Sequence, residues 1–163
     1  MNWLRGIFIA LTALAIVQIL FYYPQMPDVV ASHFDGSGTP NDWAGKTGFF
    51  ALYGIILALL VIIFLYVPIW SEKHRKFGMN LPNRDYWLAP GQRAQTLSFF
   101  KRQMMIMGIV HLALALFTIQ LVIDANFDSS PVLDGSIFMV LLIYFVFLVA
   151  WLIHFFLRFR KPV

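Results

Sequence analysis

The chain has 163 residues, 60% of them hydrophobic and 12% charged, with a mean hydropathy of +0.75. That leaves too little polar side chain to clothe a water-soluble globule of this size, so lipid must be part of its solvent. Cysteine is absent, which excludes disulfides, thiolate catalysis and cysteine-held metals, and the formal net charge of +4 sits outside the apolar stretches.

The first apolar stretch, residues 6–23, follows Arg5 and ends in Phe21-Tyr22-Tyr23-Pro24. A cleaved signal would end in small residues, so this is read as a retained helix. Three further stretches, 49–70, 104–123 and 136–157, are equally apolar. Each reaches the roughly 20 residues that a helix rising about 1.5 Å per residue needs to cross a hydrocarbon core. Lipid offers the backbone no other hydrogen-bond partners, so each is a transmembrane helix.

Between the first two spans, residues 24–47 are rich in turn formers: Pro24, Pro27, Gly36, Gly38, Pro40 and Gly45. Val29–Phe34 has the β-branched start and the length of a short strand, and Asp35-Gly36 is a tight-turn pair. Together they predict a small ordered cap, seated on the helix ends by Phe34 and Trp43. Residues 71–103 open with the basic run Lys73-His74-Arg75-Lys76 and turn at Leu81-Pro82-Asn83. Tyr86-Trp87-Leu88 follows, and Pro90 suits a first helical turn. In Gly91–Arg102, Leu97, Phe99 and Phe100 are set among Arg93, Lys101 and Arg102, which predicts an interfacial helix feeding the third span. The short acidic connection from Asp124 to Gly135 makes the last two spans an antiparallel hairpin.

All of the 12 Lys and Arg residues except Lys46 lie before the first span, in 71–103, or after the fourth. Asp28, Asp35, Asp42, Asp124, Asp128 and Asp134 occupy the two opposite loops. Basic residues resist translocation, so both termini and loop 71–103 are expected in the cytoplasm and the cap outside. The basic surplus is read as topogenic and as attracting anionic lipids of the bilayer, at about 1 kcal/mol per residue, rather than nucleic acid. The expected fold is an all-α membrane protein, a single domain over residues 1–163 forming a four-transmembrane-helix bundle, N-in/C-in, whose Ala-, Gly- and Thr-bearing faces touch.

Two segments carry a resemblance. Tyr23-Pro24-Gln25-Met26-Pro27-Asp28 through His33-Phe34-Asp35-Gly36-Ser37-Gly38-Thr39-Pro40, ending Trp43-Ala44-Gly45-Lys46, resembles the loop of the bacterial membrane family called domain of unknown function 1648. Its pattern is a Leu-Pro or Met-Pro start, a strand ending His-Phe or His-Trp, a Gly turn, Gly-x-Pro, an aromatic and a closing Lys. Asn80-Leu81-Pro82-Asn83-Arg84-Asp85-Tyr86-Trp87-Leu88-Ala89-Pro90 is similar to the cytoplasmic segment of many members. The resemblance implies a multi-pass protein of the bacterial cytoplasmic (inner) membrane. The same domain stands at the front of larger proteins resembling immunity factors for a sporulation-delaying peptide toxin, and no catalytic residues come with it.

Chemistry-bearing motifs are sparse: there is no His-Glu-x-x-His, no Gly-x-Ser-x-Gly and no phosphate-cradling Gly loop. An enzyme is therefore not expected, and no cofactor is implied. His33 and Asp35 would share a face of a strand and, with Asp28 or Asp42, form a nitrogen-oxygen site for a divalent metal. In the plainer reading Asp35 shapes the turn and His33 hydrogen-bonds within the cap. His111 lies near mid-depth of the third span, with Thr118 on about the same face and Gln18 and Gln120 in the outer half. These are either a polar track of a small transporter or ligand-binding bundle, or interhelical hydrogen bonds worth about 0.6 kcal/mol each. The leading expectation is a non-enzymatic module that binds a partner protein or peptide through His33, Asp35, Asp42 and Trp43. A transporter centred on His111 is the alternative and a metal-dependent membrane enzyme the third. Four helices enclose little volume alone, so an oligomer stays open.

Overall fold

The computed structural model of the chain describes residues 2–73 and 81–160. In order, the elements are α1 (Asn2–Tyr22), β1 (Val29–Phe34), β2 (Pro40–Gly45), α2 (Lys46–Val61), a π-helical turn (Ile62–Tyr66), α3 (Val67–Lys73), α4 (Arg84–Trp87), α5 (Pro90–Ala125) and α6 (Ser136–Arg158). Four helical stretches are long and apolar enough to cross a membrane: α1, Lys46–Trp70, α5 and α6. The chain is a mostly helical, multi-pass membrane protein with a small two-stranded sheet. His74, Arg75 and Lys76 of the basic run lie outside the described residues.

Three boundaries differ from expectation. The predicted division between an interfacial helix at Gly91–Arg102 and a span at 104–123 does not exist, because α5 runs unbroken for 36 residues. Pro90 occupies its first turn, where a missing N–H costs nothing, and no proline interrupts it before Asn126. At about 1.5 Å per residue α5 is far longer than a hydrocarbon core about 30 Å thick, so a helix of this length must tilt or extend beyond such a core. The second span, by contrast, is not uniform. Pro68 has no N–H to give and its ring crowds the carbonyl four residues back, and the helix widens to a π turn over Ile62–Tyr66 just before it.

The third difference is in the cap, where a second strand, β2, pairs antiparallel with β1. Pro40-Asn41-Asp42 lacks the β-branched residues that signal a strand, so only its partner was legible. The register runs Val29↔Gly45, Val30↔Ala44, Ala31↔Trp43, and after an irregularity at Ser32, His33↔Asp42 and Phe34↔Pro40. This bulge breaks the alternation, and the adjacent Val30 and Ala31 are both fully buried.

The core lies between α1, α2 and α5, where Leu4, Phe8, Ala15, Phe50, Tyr53, Leu57, Met105 and Leu112 meet, with Met26 and Val30 contributed from the cap. Large side chains fill most of these interfaces, and the small residues expected there are represented by Ala15 and Gly108. Gly108 is the point of closest approach: a Cβ there would stand 2.6 Å from Phe64 Cβ and 2.7 Å from Phe8 Cε2. α6 packs chiefly on α5, and Ile137 is its one buried residue. The bundle is thus a three-helix core with a peripheral fourth helix.

Candidate functional site

The hairpin is fixed at three points. At its middle, Asn126 follows the end of α5 and turns its buried amide toward β1: Oδ1 accepts the Ala31 N–H at 2.7 Å, and Nδ2 donates to the Ala31 carbonyl at 3.0 Å and the Val122 carbonyl at 2.8 Å. Antiparallel pairing leaves alternate N–H and C=O groups facing outward from a strand. Asn126 satisfies one such pair as a neighbouring strand would. At the tip, the Leu133 N–H donates to the Gly38 carbonyl at 2.9 Å. Gly38 has φ +83, and a Cβ there would fall 2.6 Å from the Leu133 carbonyl oxygen, so glycine is required twice over. At the base, Lys46 Nζ pairs with Asp28 at 2.9 Å and donates to the Met26 carbonyl at 3.3 Å, while its N–H donates to the Asp28 carbonyl at 3.0 Å.

His33, Asp35, Asp42 and Trp43 are all exposed on this clamped hairpin. Trp43 retains 50% of its surface, so it does not seat the cap; Met26, Val30 and Ala31 do, with at most 3% exposed. His33 stands opposite Asp42 in the register and makes no side-chain hydrogen bond among the described residues. Asp35 lies beyond the end of β1 and does not share a strand face with His33. Its Oδ1 accepts from the Ser37 hydroxyl at 2.6 Å, the Ser37 N–H at 2.8 Å and the Thr39 N–H at 3.0 Å. The Ser37 hydroxyl foremost, then the Thr39 and Ser37 amides, hold its carboxyl below the ordinary value of 3.8. Asp42 Oδ1 accepts the Trp43 N–H at 2.8 Å. Among the described residues, no three His, Asp or Glu side chains come together as a metal site.

Within the spans, His111 is bonded at both nitrogens: Nδ1 to the Met107 carbonyl at 2.8 Å and Nε2 to the Tyr144 hydroxyl of α6 at 2.9 Å. A carbonyl only accepts, so Nδ1 carries a proton, and in the neutral tautomer this defines Nε2 accepts from the Tyr144 hydroxyl. Gln18 and Gln120 form a different network. Tyr53 donates to Gln18 Oε1 at 2.9 Å, Gln18 Nε2 donates to Gln120 Oε1 at 2.9 Å, and Gln120 Nε2 donates to Asp124 at 2.8 Å. No hydrogen bond among the described residues joins the two groups, and Thr118 enters neither.

At the opposite, basic end, Asn83 takes a left-handed conformation with φ 53. Its Nδ2 and the Trp87 Nε1–H both donate to the Phe159 carbonyl, at 2.9 and 3.1 Å. The Arg158 guanidinium lies 4.4 Å over the Trp87 ring. The Leu81-Pro82-Asn83…Trp87 segment therefore caps the C-terminus of α6. Asn126, Leu133 and Phe159 were not singled out from sequence. An Asn after a long apolar run is an ordinary helix-end signal, and the other two act through their backbones.

Residues 9–57 match the family model described as Domain of unknown function (DUF1648). The match runs from within α1 through the whole hairpin into α2, so the chain carries this domain there, in agreement with the resemblance of the cap motif; the stretch Asn80–Pro90 lies outside it. No curated protein and no solved structure matches the chain.

Proposed function

We propose that this chain is a non-enzymatic membrane module that presents its hairpin, on the extracytoplasmic side, to a partner protein or peptide. One observation carries the reading: the hairpin is held by Asn126, Leu133 and Lys46, which leaves Trp43, Asp42 and His33 exposed and without a seating role. An exposed indole on one strand, next in sequence to a carboxylate that stands opposite an imidazole in the register, gives an already ordered scaffold the residue types of a binding hot spot. The charge asymmetry supports the orientation, with both termini in the cytoplasm of a bacterial inner-membrane protein.

The transporter reading centred on His111 draws less support, because both ring nitrogens are already engaged and the amides of Gln18 and Gln120 belong to another interface. Photo-crosslinking from position 43 in intact membranes tests the proposal. A discrete adduct should form, and it should disappear in Asp42→Ala or His33→Ala while thermal stability stays unchanged. Stable variants with an undiminished adduct would remove the hairpin face from consideration.

A further inference from the structure

Between α5 and α6, toward the basic end, lies a cavity of about 480 Å³. Its wall is apolar, formed by Ile106, Phe147 and Ala150 with the ring of Trp151, and Arg102 and His154 also line it. Trp151 is fixed by a 2.8 Å hydrogen bond from its Nε1–H to Gln103 Oε1, so this wall is built rather than incidental. Arg102 and His154 are exposed, and among the described residues neither has an ion pair or hydrogen bond; His154 meets only the Phe99 ring, at 5.8 Å. Six of the eight acids are in the loops at the other end, and among the described residues Asp85 makes no ion pair with Arg102. A cation without a counter-charge beside an apolar groove of ligand size asks for one kind of occupant, an anion that carries a hydrocarbon chain.

We propose that this groove is a binding site for an anionic phospholipid. One acyl chain lies along Ile106, Phe147 and Ala150, the phosphate meets the Arg102 guanidinium, and a His154 ring N–H donates to it. The site is independent of the partner surface at the hairpin.

Trp151 supplies the probe. The full chain is placed in nanodiscs of phosphatidylcholine with small amounts of phosphatidylglycerol brominated on its acyl chains, and quenching of Trp151 is taken as the difference from a Trp151→Phe protein. Brominated phosphatidylglycerol should quench at a mole fraction about fivefold lower than brominated phosphatidylcholine, which is what one basic contact to an anionic lipid is worth. Arg102→Gln should abolish that preference and Arg102→Lys should keep it, with unaltered unfolding temperatures showing that both fold. Ala150→Phe should fill the groove and reduce quenching by both lipids. Equal quenching by the two lipids, or a preference that survives Arg102→Gln, would overturn the proposal. So would loss of the preference in millimolar inorganic phosphate, which would make this a free-anion site.

Discussion

Asn126 holds the Ala31 N–H and carbonyl with a single amide, and both partners are buried. Removing that amide strands two backbone groups, each of which was paired. Asn126→Ala is therefore expected to destabilise the protein by about 1–3 kcal/mol in denaturant titrations and to speed hydrogen exchange at the Ala31 amide, while the helices persist by circular dichroism. Asp35 gives a second residue-level test, on an exposed group. Because its folded pKa is depressed, the turn bonds it accepts are fully present above the ordinary value of 3.8 and are lost as pH falls below that, through the folded value. A carboxyl NMR titration of Asp35 should have its midpoint below 3.8, and Ser37→Ala should move it upward, since the Ser37 hydroxyl is the foremost cause. A midpoint unmoved by Ser37→Ala would contradict the turn geometry.

Among the elements, the tightest fit is where α1 and the second span meet α5 at Gly108. Gly108→Ala drives a methyl into Phe64 and Phe8, and the expected loss is about 1–3 kcal/mol by unfolding in detergent, despite the better helix propensity of alanine. His111 ties α5 to the peripheral α6. His111→Gln, which keeps an amide in place of the imidazole, should preserve the fold and cost under about 1 kcal/mol. The elements differ in how plainly residues declared them. The four spans were legible because an uncharged run of that length has one stable form in lipid. The 36-residue length of α5 was not, because its amphipathic first turns and its apolar remainder look like two elements, and only the lack of a breaker after Pro90 joins them. β2 was hidden since its pairing is imposed by β1 and not by its own Pro40-Asn41-Asp42. Trp43 misled in the opposite direction, an aromatic read as packing that stays half exposed although its cross-strand partner Ala31 is buried.

For the molecule as a whole, Lys and Arg concentrate at the end of the bundle that bears α4, and Asp at the end that bears the hairpin. With the hairpin outside, Ser37→Cys and Ser129→Cys should react with an impermeant thiol reagent on intact cells, and Tyr86→Cys should react only after lysis. The inverse labelling pattern would reverse the proposed orientation. The contacts that close the molecule had no sequence signature, because their partners are remote: Ala31 and Asn126 are 95 residues apart, and Asn83 and Phe159 are 76 apart. That second separation also sets an order in time. A ribosome adding about 5–20 residues per second leaves Asn83 and Trp87 without the Phe159 carbonyl for roughly 4–15 s, and the residues of α1, α2 and α5 are all made roughly 2–7 s before that carbonyl. The newly made chain therefore holds every residue of its three-helix core before the carbonyl its basic end needs, and the segment that clasps α6 can close only once α6 is made.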